Sequence, residues 1–225
     1  MKLLDVRRFA GKTTVVTGHF GSGKTNFSVN LSAALSDGTD VYLVDYDNIN
    51  PYLRALDAKD ALRGKNVSVI ASVFANTNVD IPSVPSDILG ALNKVSAGAS
   101  AVLDVGGDML GAVSLGYIHD KIVSRPYETI YVFNAYRPLT ATPWDAYGVM
   151  REIEAVCGLK ISYLVNNSNI GAATTLRDIE ITEEYAEKLS EISGVPLLCT
   201  CVMLNEMPAM KGEIFQMINY TKQIF

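Results

Sequence analysis

Short apolar runs rich in β-branched residues alternate along the chain with longer segments in which apolar residues recur at helical spacing. The runs are nearly continuous, which is typical of strands buried on both faces of a parallel sheet. Seven such runs occur: TTVVTG (13–18), DVYLVDYD (40–47), VSVIAS (67–72), ASAVLDVGG (99–107), ETIYVFNA (128–135), KISYLVNNS (160–168) and VPLLCTCV (195–202). The pattern therefore predicts an α/β protein with a doubly wound, mostly parallel sheet of about seven strands and helices on both faces.

Local start and stop signals mark three of the intervening helices. A helix expected over Thr142–Gly158 begins with a threonine that is followed by Pro143 and then by Asp145, which resembles a capping box. Two further helices are expected over Thr182–Gly194 and Ser86–Gly98, where a hydroxyl residue begins and a glycine ends the apolar pattern.

Three segments carry weaker signals. Segments 48–66 and 72–85 are irregular, and they suit either partner or substrate contacts or ordinary surface loops. The C-terminal segment 212–225, GEIFQMINYTKQIF, has the apolar content of an amphipathic membrane helix but little positive charge to attract anionic lipid. Packing on the sheet is the favoured interpretation of that segment.

Composition narrows the class of protein. The chain has 225 residues, 48% of them hydrophobic and 19% charged, with a formal net charge of −5. One globular domain over residues 1–225 is expected, and the acidic balance argues against broad binding to nucleic acid. Residues 1–12 carry charges where a signal peptide needs an apolar region, and no apolar stretch reaches the roughly 18 residues of a spanning helix. Together with only three cysteines, this predicts a cytoplasmic protein.

The first predicted strand leads into a glycine-rich turn that matches G-x-x-x-x-G-K-[ST], and a helical pattern follows it. Glycines let the backbone amides fold around phosphates, and the following helix presents its positive end to the same anion. Lys24 is expected to reach the β- and γ-phosphates, and the Thr25 hydroxyl is expected to bind Mg²⁺. The predicted nucleotide-binding residues here are Gly18, His19, Phe20, Gly21, Ser22, Gly23, Lys24, Thr25 and Asn26.

Carboxylates follow two other predicted strands at the sheet edge where ligands of such sheets collect. VYLVDYD places Asp45 and Asp47 at a strand end, and AVLDVGGD places Asp104 at another. Asp104 is typical of a Walker B aspartate that holds Mg²⁺ through water, and the D-x-x-G spacing lets the Gly107 amide approach the γ-phosphate. Helix caps or turn residues are the alternative role for such aspartates.

Taken in order, the motifs GHFGSGKTNFSVNLSAAL, VYLVDYDNINP and AVLDVGGD resemble the MinD/ParA branch of P-loop ATPases over most of the chain. The resemblance implies ATP and Mg²⁺ as cofactors, slow ATP hydrolysis, and a nucleotide-dependent switch that acts on a partner protein or a homodimer. It further implies that Asp47 positions or activates the attacking water, as a catalytic residue beside Lys24, and that Asp45 supports the magnesium.

One position departs from that family. Its signature lysine, which crosses a dimer to the partner's phosphates, is replaced here by His19, and the following glycine by Phe20. A neutral imidazole donates one hydrogen bond but lacks a permanent charge. Either the dimer is weaker or another group supplies the charge. Arg54, Arg137 and Arg177 are the candidates, with a solvated surface role as the alternative for each.

The sixth run ends in four polar residues, Asn166, Asn167, Ser168 and Asn169, at the place where related proteins recognise the base. A guanine-reading N-K-x-D motif would place a carboxylate there, so its absence favours adenine. The resemblance makes Asn166 the expected base contact, with Asn167 beside it, and turn formation is the alternative for these asparagines.

Three other functions remain open. Cys199 and Cys201 form a C-x-C that a metal-centre maturation ATPase could use, although core packing is favoured within the apolar run PLLCTCV. A small-molecule ligase or kinase of the dethiobiotin synthetase type shares the phosphate loop. A GTP-dependent metallochaperone does too, but the missing guanine-reading acid counts against it.

Overall fold

The computed structural model describes residues 2–46, 59–60, 62–71, 86–107 and 109–220. Within these residues, strands form one sheet in which every pairing is parallel. The strands are β1 (Lys2–Leu3), β2 (Thr13–Thr17), β3 (Val41–Tyr46), β4 (Val67–Ala71), β5 (Ser100–Val105), β6 (Tyr127–Phe133), β7 (Tyr163–Asn166), β8 (Leu197–Val202) and β9 (Glu213–Gln216). Their order across the sheet is β1-β9-β8-β7-β6-β2-β5-β3-β4.

All seven predicted strands are present, and the predicted α/β fold is confirmed. The sheet also has two short strands at one edge that the sequence pattern did not predict, β1 and β9. Strand β9 belongs to the C-terminal segment, so the expectation that this segment packs on the sheet is confirmed for Glu213–Gln216. None of the described helices is long and apolar enough to cross a membrane.

Helices connect the strands and cover both faces of the sheet. They are α1 (Lys24–Leu35), α2 (Ser86–Val95), α3 (Met109–Gly116), α4 (His119–Val123), α5 (Pro143–Cys157), α6 (Leu176–Glu180) and α7 (Glu183–Ser193). The capping box of Thr142 and Asp145 is present, and Gly158 ends α5 in a left-handed conformation. Thr182 and Gly194 flank α7 as predicted. Helix α2 ends at Val95, earlier than the expected Gly98.

Most of the core of the described residues lies in two apolar layers, one on each face of the sheet, and a small third cluster lies at Ile179, Val202 and Ile214. Successive strand residues alternate between the two layers, so that Val15 packs in the layer beneath α2, α3, α5 and α7, and Val16 packs in the layer beneath α1. The same alternation places Val44 and Tyr46 in the first layer, which leaves Asp45 on the α1 side. Side-chain alternation therefore decides which polar groups reach the phosphate-loop helix.

Candidate nucleotide-binding site

The glycine-rich turn lies at the carboxyl end of β2, between the ends of β5 and β6. Gly18, Gly21 and Gly23 have φ angles of 145°, 77° and 87°, values that L side chains rarely adopt. Helix α1 begins at Lys24, and its N-cap residue, Gly23, has no side chain to cap the first turn. A helix start of this kind presents its positive end to an anion.

Close packing fixes the path of this loop. A Cβ atom on Gly18 would overlap the carbonyl oxygen of Val132, and one on Gly23 would overlap the side-chain amide of Asn167. The Asn167 Nδ2 group donates a hydrogen bond of 2.8 Å to the Ser22 carbonyl. The loop is therefore held by β6 on one side and by the residue after β7 on the other.

Lys24 and the D-x-x-G segment meet at the centre of the loop. The Lys24 Nζ group is buried and donates a 2.9 Å hydrogen bond to the His19 carbonyl. A Cβ atom on Gly107 would lie 2.5 Å from Lys24 Nζ and 2.6 Å from the Phe20 backbone nitrogen. Gly107 thus lies directly against the phosphate loop, and the approach of its amide to a γ-phosphate stays a prediction.

Two of the predicted acids are neighbours. Asp45 and Asp104 are register partners on β3 and β5, and both are buried. The Ser28 hydroxyl of α1 donates a 3.3 Å hydrogen bond to Asp104 Oδ1. Thr25 lies one turn earlier on the same helix and is half-buried. Asp47 lies outside the described residues.

Oxygen donors of this kind suit Mg²⁺, which proteins commonly bind through one or two carboxylates plus substrate phosphates. The described residues contain no cluster of three or more His, Cys, Asp or Glu side chains that could hold a metal by themselves. A Mg²⁺ ion at Asp45, Asp104 and Thr25 would therefore need water or phosphate oxygens to complete its coordination.

His19 points into the protein. It is 2% exposed, and its Nε2 lies 3.0 Å from the Thr140 hydroxyl, which itself donates to the Asn134 carbonyl at 2.8 Å. Because the Thr140 proton is committed to that carbonyl, Nε2 carries the imidazole proton and donates to Thr140. Burial, followed by the charge of Lys24, lowers the pKa of His19 to about 4, and the Phe20 backbone only partly opposes this. The imidazole is therefore neutral at pH 7.

The three candidate arginines have different surroundings. The Arg137 Nε group donates a 3.1 Å hydrogen bond to the Gly21 carbonyl, so this side chain lies on the phosphate loop. Arg177 is exposed on α6, and its side chain makes no hydrogen bond or ion pair within the described part of the chain. Arg54 lies outside the described residues.

The asparagines after β7 form a hydrogen-bonded turn. Asn166 is fully buried, its Nδ2 donates to the Thr182 hydroxyl at 2.9 Å, and its Oδ1 accepts from the Ser168 amide at 3.1 Å. The Asn169 Nδ2 donates to the Asn167 carbonyl at 2.8 Å. These contacts fit the turn-forming alternative, and the base contact of Asn166 and Asn167 stays a prediction.

The Asn26 side chain contacts the C-terminal segment, and a nucleotide contact of this residue stays a prediction. Its Oδ1 accepts from the Tyr220 amide at 2.8 Å, and one turn later the Asn30 side chain pairs with the Ile218 backbone through two 2.8 Å hydrogen bonds. Asn30, Ser28 and Thr140 were not predicted from the sequence. Ser28 could have been found, because it follows Thr25 by three residues on one helix face.

Cys199 and Cys201 lie in the apolar layer beneath α1 and are buried. Burial, together with the hydrogen bond to Cys199, raises the pKa of the Cys201 thiol well above its usual value. Core packing, the favoured role for this pair, is confirmed.

Comparison with solved structures identifies the fold. The chain resembles FtsY from Mycoplasma mycoides (TM-score 0.60, 16% identity, covering 88% of this chain and 61% of that one). It also resembles FtsY from Thermotoga maritima (TM-score 0.60, 16% identity, covering 83% and 60%). A third similar structure is the signal recognition particle 54 kDa protein from Aeropyrum pernix in complex with GDP (TM-score 0.56, 16% identity, covering 84% and 41%).

These similarities show an α/β fold of the P-loop NTPase type. The chain spans less than two thirds of the length of each of these three structures. No protein-family model matches the chain, and no curated protein matches it by sequence. The closer resemblance of its motifs to MinD and ParA stays a prediction.

Proposed function

We propose that this protein is a Mg²⁺-dependent ATP-binding protein and a slow ATPase whose nucleotide state controls a partner protein or a homodimer. The observation that carries the proposal is the convergence of three elements at one edge of the sheet. Lys24 and Gly107 meet at the glycine-rich loop, and the paired carboxylates of Asp45 and Asp104 lie beside the helix that follows it. An uncapped helix start among cationic and carboxylate groups suits a magnesium nucleotide.

Each group has a chemical role in this proposal. The loop amides and Lys24 bind the phosphates, while Thr25, Asp45 and Asp104 hold Mg²⁺, which when bound neutralises charge on the phosphate oxygens. In hydrolysis the water oxygen bonds to the γ-phosphorus and the bond from that phosphorus to the β–γ bridging oxygen breaks, so that the products are ADP, inorganic phosphate and a proton released from the water. Asp47 is proposed to orient the water.

Adenine is the proposed base. The A. pernix relative was solved with GDP, whereas residues 166–169 here contain no carboxylate to pair with a guanine edge. A ligand that binds only the native state raises the melting temperature by mass action. MgATP is therefore expected to raise it more than MgGTP does at the same concentration, and a larger shift with MgGTP would contradict the choice of adenine.

The contacts of Gly107 suggest how nucleotide state reaches a partner. Two residues after Gly107 the chain begins helix α3, and the Tyr46 hydroxyl of β3 donates a 3.0 Å hydrogen bond to the Ser114 carbonyl of that helix. A γ-phosphate that moves Gly107 would therefore also move α3 relative to β3. Nucleotide-dependent association, measured by light scattering with MgATP and MgADP, tests this step.

Phosphate release by the purified protein in MgATP tests the proposed activity. Wild-type protein is expected to release phosphate slowly, and Lys24→Ala is expected to lose both binding and release because the buried ammonium is gone. Lys188→Ala is a matched control, since that lysine is exposed on α7 and, among the residues that the structure describes, pairs only with Glu191. Unchanged binding and release in Lys24→Ala would refute the assignment.

A further inference from the structure

The turn that follows β6, residues Asn134–Thr140, is fastened to the phosphate loop at two points. Thr140 accepts the hydrogen bond from His19, and Arg137 donates to the Gly21 carbonyl. Phe20 lies between His19 and Gly21 in the phosphate loop and is 68% exposed. We call Asn134–Thr140 the β6 turn.

Of the two loop contacts, one involves His19, which stands at the position of the signature lysine, and the other involves Arg137, which carries a positive charge. His19 occupies the position of the signature lysine, but its imidazole is buried, neutral and turned toward Thr140. It cannot reach outward with a positive charge. Arg137 brings a cation to the same loop at Gly21, two residues further along the motif than His19.

Arg137 is placed by backbone hydrogen bonds on both sides. Its amide donates to the Asn134 carbonyl at 3.1 Å, and its carbonyl accepts from the Thr140 amide at 3.0 Å, so both ends of the turn are closed. Pro138 follows it at the start of a short 3-10 helix and fixes the local φ angle. The side chain therefore starts from a defined position beside the loop.

The guanidinium of Arg137 retains binding capacity. Only Nε is engaged among the contacts of the described residues, and the side chain is half-buried. A Cβ atom on Gly21 would lie 3.4 Å from Nε and 3.6 Å from Cζ, so the guanidinium lies over the middle of the phosphate loop. The two terminal amino groups form a fork that matches two phosphate oxygens.

We infer that Arg137 is a catalytic residue that contacts the γ-phosphate from within the same chain and supplies the positive charge that His19 does not. This inference rests on the proposed function and identifies the charge at that site. In the transition state the guanidinium stabilises negative charge on the γ-phosphoryl oxygens, a role that arginines fill in cis or in trans in phosphoryl transfer. In a homodimer the subunits would then respond to the nucleotide state, but the partner subunit would contribute no residue to the catalytic site.

Steady-state hydrolysis of MgATP by Arg137→Gln tests the inference, with Arg63→Gln as a matched control because Arg63 is exposed and pairs only with Asp60 among the described residues. We expect kcat to fall by on the order of 10³-fold, while the affinity for MgATP changes far less. Arg137→Lys should recover only part of kcat, since an ammonium lacks the planar fork. Arg63→Gln should match wild type.

Mixing variants distinguishes action within one chain from action across a dimer. Arg137→Gln retains Lys24, and Lys24→Ala retains Arg137, so a dimer with a trans-acting arginine would regain activity in a mixture of the two. We expect the mixture to stay inactive and the wild-type rate per molecule to be independent of protein concentration. Recovery in the mixture would overturn the inference.

The remaining outcomes separate this inference from the proposed function. Wild-type hydrolysis with an unchanged kcat in folded Arg137→Gln would overturn the inference and leave the ATPase assignment intact. A loss of kcat in Arg177→Gln, with kcat unchanged in Arg137→Gln, would likewise overturn the inference and leave the ATPase assignment intact. Absence of binding and hydrolysis in wild type would overturn both.

Discussion

Gly107→Ala probes the contact between the D-x-x-G segment and the phosphate loop. The new Cβ atom would lie 2.5 Å from Lys24 Nζ, 2.6 Å from the Phe20 nitrogen and 2.7 Å from the His19 carbonyl carbon. Two of these three atoms belong to the backbone, which cannot rotate away as a side chain can. Ordinary contact would require the segment and the loop to separate by about 1 Å.

The expected cost is that of overpacking a close contact, about 1–3 kcal/mol of the free energy of unfolding. For a chain of this size each kcal/mol corresponds to about 2–4 °C in the melting temperature. The substitution should also remove the difference between MgATP and MgADP in stabilising the protein, because the Gly107 amide is displaced from the position proposed to meet a γ-phosphate.

Gly148→Ala provides the control. Gly148 lies inside α5, and a Cβ atom there would have no atom within 4 Å. Removing a glycine from a helix interior should stabilise the protein by about 0.5–1 kcal/mol. Thermal unfolding followed by circular dichroism measures both variants. The packing argument is refuted if Gly107→Ala melts at or above the wild-type temperature and still distinguishes ATP from ADP.

Three further predictions concern single contacts. Asn167→Ala removes the donor to the buried Ser22 carbonyl and should lower the free energy of unfolding, measured by chemical denaturation, by about 1–3 kcal/mol. An unchanged denaturation midpoint would show that this hydrogen bond does not stabilise the fold. Asn30→Ala leaves the Ile218 amide and carbonyl without their side-chain partners, so hydrogen exchange at that amide should accelerate while exchange in the central strands stays slow. The pKa of His19 is about 4 in the folded protein and 6.5 in the unfolded chain, so between these two pH values His19 gains a proton on unfolding. Its contribution to stability is therefore present above pH 6.5 and lost as the pH falls toward 4. His19→Gln should show a shallower decline in urea unfolding over that range, and equal slopes would contradict the assigned pKa.

Much of the fold could be predicted because the strands of a covered parallel sheet are apolar on both faces. The seven runs that form β2 to β8 carried that apolar pattern, and the strand ends they predict placed Asp45 and Asp104 at one edge of the sheet. Strands β1 and β9 could not be predicted in this way. Lys2–Leu3 is too short to form a pattern, and Glu213–Gln216 is held by pairing with β8 rather than by its own periodicity.

The glycine-rich motif of the site could be predicted from the sequence, whereas the residues that contact the loop could not. The spacing of the glycines and Lys24 predicts the conformation of the phosphate loop, because only a few backbone conformations can wrap around a phosphate. The partner of His19 could not be found in the same way, since Thr140 lies far along the chain and meets the loop only when β6 pairs with β2. The Arg137 contact depends on the same pairing.

Binding of a nonhydrolysable ATP analogue with Mg²⁺, measured by isothermal titration calorimetry, tests the central claim most directly. Wild-type protein is expected to bind one analogue per chain, with affinity that falls when Mg²⁺ is omitted or when Asp104 is changed to Asn. Lys24→Ala, shown to be folded by its melting curve, is expected to give no binding heat. Equal binding by wild type and Lys24→Ala, or no binding by wild type, would contradict the claim that this loop holds a magnesium nucleotide.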